Sequence, residues 1–237
     1  MTATRVLVPL AILEGESVSP GLTALLEPVA VTVLGYHVLP EQTPPDQARL
    51  QYEDRATDAL DDLTATFRVG GGPADHRLVF THDREQTIDR IAAETAADAY
   101  AIPGASGQID RLLVVLTGDV AVDRICSFVG ELIGPREIDV TLFLATDDAD
   151  AGRALLETAA ESIAAREIDV RTRLVDDAAP FESLLETATD HDAVVVGEQA
   201  PSLRSLVFGE PSERIAVESV APVLVVRNVD ETSSDQR

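Results

Sequence analysis

Lysine is missing from this chain, and all 18 of its basic residues are arginine. Acidic residues number 42, so the formal net charge is −24. At ordinary salt so large a charge opposes compaction through self-repulsion, whereas at molar salt the Debye length shrinks to about 3 Å and the repulsion is screened. An acidic chain without lysine therefore predicts a protein of a halophile, with an acidic mesophilic protein as the alternative. The same negative field argues against nucleic acids and anionic membrane surfaces as partners.

Cysteine, aromatic residues and long apolar runs are also scarce. The single cysteine, Cys126, excludes an internal disulfide, and its apolar neighbours predict a buried, inert thiol. No apolar run reaches about 18 residues and no secretion signal is found, so we expect a cytoplasmic protein without direct membrane insertion. Aromatic residues make up 4% of the chain and apolar residues 45%. A core of Val, Leu, Ile and Ala is typical of parallel strands packed on helices, which is an α/β fold.

A repeat of strands and helices organises the chain. The predicted strands cover residues 5–10, 31–38, 77–80 and 98–102 in the first half and 111–116, 140–145, 172–175 and 192–196 in the second. The predicted helices cover residues 46–67 and 86–95 in the first half and 120–133, 149–166 and 181–189 in the second. This alternation indicates right-handed crossovers and parallel sheets.

The two halves differ in how they end. After its fourth strand the first half continues only into a Gly-, Pro- and Ser-rich linker at residues 103–110. The sequence therefore predicts a degenerate first domain, residues 1–108, that lacks a final loop, helix and strand. A complete second domain follows at residues 109–228, and the polar tail 229–237 is predicted to be disordered.

The most specific pattern lies near the C-terminus. A buried strand ends at Gly197, and Gly209, the helix start Ser212-Glu213-Arg214 and the run Pro222-Val223-Leu224-Val225-Val226 follow. Strand, glycine loop, helix and closing strand is the order of a phosphate-cradling α/β module. These residues resemble the universal stress protein family, in a tandem, haloarchaeal type with a truncated first domain.

The resemblance implies two tandem adenine nucleotide alpha hydrolase-like, Rossmann-like domains with parallel sheets. It also implies an intramolecular pseudo-dimer that resembles the family's homodimer, and a homodimer of the whole chain stays open. Because the family's closing strand pairs across its dimer, we expect residues 223–226 to cross to the open edge of the first domain, whose backbone groups would otherwise be unpaired.

The same resemblance implies a nucleotide crevice over the carboxyl ends of the strands, with phosphates at the glycine loop and the last helix. The candidate residues in the second domain are Thr117, Asp119, Gly197, Ala200, Ser202, Arg204, Gly209, Glu210 and Ser212. Several depart from the family's pattern. Thr117 and, in the first domain, Ala11 replace an aspartate that binds adenine; Asp119 either substitutes for it or caps the next helix. Ala200 adds a Cβ where a glycine is usual.

Glu210 is the departure with the largest consequence. Its carboxylate would lie at a helix N-terminus, where it is stabilised by about 0.3 to 1 kcal/mol and takes the position of a phosphate. Two interpretations follow. Glu210 is an internal plug, or Arg204, Ser202 and Ser212 restore phosphate affinity while Glu210 turns outward.

The sequence offers few other candidates for a metal or catalytic site. The four histidines lack the paired spacing of a metal site, so we predict no metal. His37 either matches the family's pattern beside the crevice or is a strand-end residue satisfied by backbone, and His191 is expected to end a helix rather than form a catalytic dyad. The glycines at 70–72 are not followed by the Lys-Ser/Thr of a P-loop. No catalytic residue is predicted.

These observations predict a non-enzymatic regulatory or protective module with a degenerate nucleotide pocket, although weak ATP hydrolysis stays open. The one candidate cofactor is an adenine nucleotide, ATP or AMP, in the second domain. One alternative function is therefore an ATP or AMP sensor. Another, suggested by the resembling family's association with transporters, is a cytosolic partner of a membrane transporter.

Overall fold

The computed structural model describes residues 3–116, 122–175, 180–198 and 221–228. The strands are β1 (Arg5–Ala11), β2 (Ala30–Val38), β3 (Ala74–Thr81), β4 (Ala99–Ile102), β5 (Arg111–Val115), β6 (Asp139–Ala145), β7 (Val170–Val175), β8 (Ala193–Gly197) and β9 (Val223–Val226). The α-helices are α1 (Pro20–Leu25), α2 (Pro45–Val69), α3 (Arg84–Glu94), α4 (Val122–Ile133), α5 (Ala149–Ala164) and α6 (Pro180–Ala188). All the predicted strands are confirmed, with ends that shift by up to three residues.

One sheet of nine strands joins the two halves of the chain, in the order β3-β2-β1-β4-β9-β8-β5-β6-β7. Within the first half, β1 to β4 are parallel, and within the second half β5 to β9 are parallel. The halves meet where β9 pairs with β4 in antiparallel fashion, with Tyr100 opposite Val225. The expected crossing of residues 223–226 to the first half is thus confirmed. The carboxyl ends of the strands in the two halves consequently lie at opposite ends of the sheet.

The sheet is buried on both faces because its central strands are continuous apolar runs. Every residue of β4, β8 and β9 is buried, as expected for strands covered on both sides. One face packs against α1, α2, α4 and α5, and the other packs against α3 and α6. Neighbouring residues of β1 show this division, since Val6 and Val8 belong to the core on the first face and Leu7 belongs to the core on the second.

Helix α1 was not predicted from the sequence. It has six residues, too few to show a helical repeat of apolar positions, although Leu22 and Leu25 are buried. The local signal is its start, where the Ser19 side chain accepts a hydrogen bond from the Leu22 N–H and Pro20 takes the first helical position.

The two halves repeat one anchoring contact. An aspartate before the fourth strand of each half accepts the backbone N–H at the start of the first strand. Asp98 Oδ2 lies 3.0 Å from Arg5 N, and Asp192 Oδ2 lies 2.9 Å from Arg111 N. The matching contacts tie β1 to β4 and β5 to β8, and they support an internal repeat at the level of single side chains.

Candidate functional site

The first half contains a cavity at the switch point of its sheet. After β1 the chain builds β2 and β3 on one side of β1, and it then returns to place β4 on the other side. Open α/β sheets bind ligands outside the carboxyl ends of their strands at such a point. The cavity has a volume of about 280 Å³ and is lined by Glu16, Ser17, Ser19, Arg84, Ile102, Pro103, Gly104 and Ala105. The candidate residues predicted from the sequence lie in the second half, and none of them lines this cavity.

A carboxylate of the chain itself lies at the end of β1. Gly15 adopts a left-handed conformation with φ of 81° and turns the chain back after the short 3₁₀ helix Ile12–Glu14. Glu16 Oε2 then accepts a hydrogen bond from Ala11 N at 2.6 Å. Ala11 is the position at which the resemblance implies an adenine-binding aspartate. The backbone donor at this position is therefore already satisfied by Glu16.

One glycine of the loop after β4 and one of α1 serve close packing. A Cβ on Gly104 would lie 2.4 Å from the carbonyl carbon of Ala221, and a Cβ on Gly21 would lie 1.7 Å from the Gly107 oxygen. The hydroxyl groups of Ser19 and Ser106 are 2.8 Å apart and tie the loop to the start of α1. These glycines bring backbone against backbone within the protein, which is a different use from cradling a phosphate.

Arg84 brings positive charge to the lining of this cavity. It is the first residue of α3, and its guanidinium carbon lies 5.4 Å from the centre of the Tyr36 ring. Such a cation–π contact holds the guanidinium over the ring. The lining of the cavity therefore contains the guanidinium of Arg84, the carboxylate of Glu16 and the hydroxyl groups of Ser17 and Ser19.

The candidate site of the second half is described only in part. Gly197 is the last residue of β8, is buried, and lies opposite Val226. Glu198 continues this pairing, because its N–H donates to the Val226 oxygen at 2.9 Å. The other candidate residues lie outside the described residues: Thr117, Asp119, Ala200, Ser202, Arg204, Gly209, Glu210 and Ser212. Both interpretations of Glu210 stay predictions.

The histidines form no metal centre in the described ranges, which contain no group of three potential ligands. His37 packs edge-on against Tyr52 and Phe80, with ring centres 5.8 and 6.3 Å away. Its buried Nδ1 has no hydrogen-bond partner in the part of the chain that the structure describes, so no backbone bond to this nitrogen supports the second of the two alternatives. His191 Nδ1 donates to the Thr187 oxygen at 2.7 Å. This bond to a carbonyl in the last turn of α6 confirms its predicted role at a helix end.

The thiol of Cys126 is buried between α4 and α5, which confirms the predicted burial. Its Sγ lies 3.8 Å from the Ala159 oxygen. Burial, together with the charge of Asp123, raises its pKa to about 11. The reactive thiolate is therefore disfavoured at neutral pH. Within the described residues, no helix is both long and apolar enough to span a membrane.

Comparison with known proteins identifies the fold. No family model matches the chain, and no curated protein matches it. A solved structure of a universal stress protein from Archaeoglobus fulgidus is 16% identical, covers 96% of this chain and 97% of its own, and superposes with a TM-score of 0.65. This is the fold of a universal stress protein. The fold expected from the sequence is thereby confirmed. The matched universal stress protein covers both halves of the present chain.

Shorter universal stress proteins match about half of the chain. One, in complex with cAMP, is 22% identical, covers 52% of this chain and 98% of its own, and has a TM-score of 0.40. Another, from Archaeoglobus fulgidus in complex with dAMP, is 17% identical, covers 50% of this chain and 97% of its own, and has a TM-score of 0.39.

Proposed function

We propose that this chain is a non-enzymatic regulatory or protective protein of the universal stress type, acting in the cytoplasm without a bound nucleotide. The observation that supports the proposal best is the hydrogen bond from Ala11 N to Glu16 Oε2 at 2.6 Å. It uses the backbone donor at the end of β1 and leaves a carboxylate beside the cavity at the switch point.

An anionic ligand in this cavity would meet the charge of Glu16. Two like charges 4 Å apart repel by about 4 kcal/mol at an effective dielectric constant of 20. The net charge of −24 adds a wider field of the same sign. Arg84 offsets one charge at most. In the second half, the sequence supports a matching role for Glu210 at a helix N-terminus.

Thermal melts with ATP and with AMP test the proposal. A ligand at one hundred times its Kd stabilises a protein by about 2.7 kcal/mol, which a melt detects. We expect no stabilisation of the native chain. Glu16→Gln keeps an oxygen that can accept from Ala11 N and removes the charge, so it should gain nucleotide-dependent stability relative to Glu157→Gln, an exposed control on α5.

The second half is tested by Ala200→Gly combined with Glu210→Ser, which removes the added Cβ and the competing charge and should raise nucleotide affinity. Binding of ATP by the native chain at micromolar concentration, abolished by Arg204→Ala, would overturn the proposal. A nucleotide sensor in the second half would then replace it.

We further propose that the protein works in a cell of high salt content. A charge of −24 without lysine leaves strong self-repulsion that only concentrated salt screens. The melting temperature should rise between dilute buffer and molar KCl. An equal or lower melting temperature in KCl would remove the physical basis for a halophilic source.

A further inference from the structure

A second cavity lies at the seam between the two halves and shares no lining residue with the first. It has a volume of about 400 Å³. Its lining comes from α1, from the linker before β5 and from the segment before β6: Gly21, Ala24, Leu25, Gln108, Ile109, Asp110, Arg136, Glu137 and Ile138. A volume of roughly 300–1,000 Å³ at a junction of domains is typical of small-molecule sites.

The floor of this seam cavity is apolar and its rim is polar. Leu25, Ile109 and Ile138 are buried, whereas Asp110 and Glu137 are exposed. Gln108 donates a hydrogen bond to Asp110 Oδ1 at 2.7 Å. In the part of the chain that the structure describes, neither rim carboxylate forms an ion pair.

Arg136, the cation in the lining, is already engaged. Its guanidinium donates to the carbonyl oxygens of Ala24 at 2.5 Å, of Leu25 at 2.9 Å and of Ile133 at 2.9 Å. It also donates to the oxygen of Leu132. These oxygens lie at the C-terminal ends of α1 and α4, where helices carry partial negative charge. The guanidinium is thus held by both halves and is a poor partner for an anion.

We propose that the seam cavity binds a small organic cation, namely an amidinium, guanidinium or amine carried on an apolar body. The apolar floor accepts the body, and the carboxylates of Asp110 and Glu137 accept the charged group. The strongly negative field of the whole chain also attracts a cation. Because the lining comes from both halves, an occupant contacts them together and stabilises their pairing.

Benzamidine and its neutral isostere benzamide test this site, since they share an apolar ring and differ in charge. Amide NMR spectra of the full chain are recorded during each titration, at the lowest KCl concentration that keeps the spectrum dispersed. We expect benzamidine to shift the signals of Gly21, Ala24, Gln108, Ile109 and Ile138, and benzamide to shift them much less.

Two variants test charge and location separately. Asp110→Asn with Glu137→Gln should weaken benzamidine binding roughly fivefold, the loss expected for two exposed ion pairs. Glu157→Gln with Glu161→Gln on α5 makes the same change of net charge and should have no such effect. Ala24→Phe narrows the rim without a change of charge and should also weaken binding.

The outcomes that would overturn the proposal are distinct. They are the absence of seam shifts, equal binding of benzamide, or shifts spread over the acidic surface. An equal loss of affinity in the α5 control would also overturn it. The result is independent of ATP and AMP binding, so this proposal and the proposed function can fail separately.

Discussion

The two halves of the sheet anchor their first strand in the same way, through an aspartate before the fourth strand. They differ in how the strand at the junction of the halves, β4 or β8, pairs with β9. In the second half, β8 pairs with β9 of the same half in parallel. In the first half, β4 pairs with the opposite edge of that same strand in antiparallel fashion. One strand can complete the inner edges of both halves because each strand has two hydrogen-bonding edges. The first half therefore lacks a fifth strand of its own without leaving the edge of β4 exposed.

The anchoring aspartates show a second difference. Asp192 forms an ion pair within its own half, with Arg111 at 3.4 Å. Asp98 instead pairs with Arg124 of the second half at 3.3 Å. The aspartate at this position of the repeat therefore forms an ion pair within its half in the second half, whereas in the first half its ion pair joins the two halves. Together with β9 and Arg136, this contact leads us to expect that the halves unfold as one unit.

The largest effect is expected from Leu224→Ala in β9. Leu224 is fully buried in the strand that both halves share. The change should lower the free energy of unfolding by about 2–5 kcal/mol. Leu174→Ala in the edge strand β7 is the control and should cost less, because Leu174 is only partly buried. Denaturant unfolding followed by circular dichroism measures both. Two separate transitions in Leu224→Ala, with one at the native midpoint, would contradict a strand that supports both halves.

A smaller effect is expected from Gly104→Ala in the linker. Its new Cβ would lie 2.4 Å from backbone of Ala221, so the segment before β9 must shift, at a cost of about 1–3 kcal/mol. Gly107→Ala is the matched control, because no atom lies within 4 Å of its added Cβ. Thermal melts of both variants compare them. Equal melting temperatures would show that the linker and the start of β9 are not tightly packed.

The smallest effect concerns pH and the thiol of the second half. Burial raises the pKa of Cys126 from 9.0 to about 11, so the folded state retains the proton that the unfolded state loses. The stabilising effect is complete below pH 9 and is lost as the pH rises toward about 11. The native chain should lose on the order of 1 kcal/mol relative to Cys126→Ala across this range.

Unfolding free energies of the two proteins at pH 8 and pH 10.5 test this expectation. If the halves unfold together, the change in unfolding free energy between the two pH values appears in the single transition of the whole chain. Identical pH profiles would mean that the thiol ionises in the folded protein as easily as in the unfolded chain.

Much of the architecture was predictable because burial on both faces leaves a pattern in the chain. Runs such as residues 112–115 of β5 and all of β8 must be apolar, and the helices between the strands carry their own periodicity. Helix α1 was not predicted because six residues are too few for such a pattern, and its only local signal was the Ser19-Pro20 start. In the first half, the sequence indicated the unusual Ala11, but it indicated neither the cavity nor the bond from Ala11 N to Glu16.

The sequence by itself determined the alternating strands and helices, the excess of negative charge and the single inert thiol, because each depends on composition or on spacing along the chain. Only the tertiary structure decided that the two cavities form and that Arg136 joins α1 to α4. The carbonyl oxygens of Ala24 and Leu25 that Arg136 contacts lie 112 and 111 residues away from it along the chain. Contacts over such separations depend on how the helices pack across the seam, and local sequence carries no pattern for them.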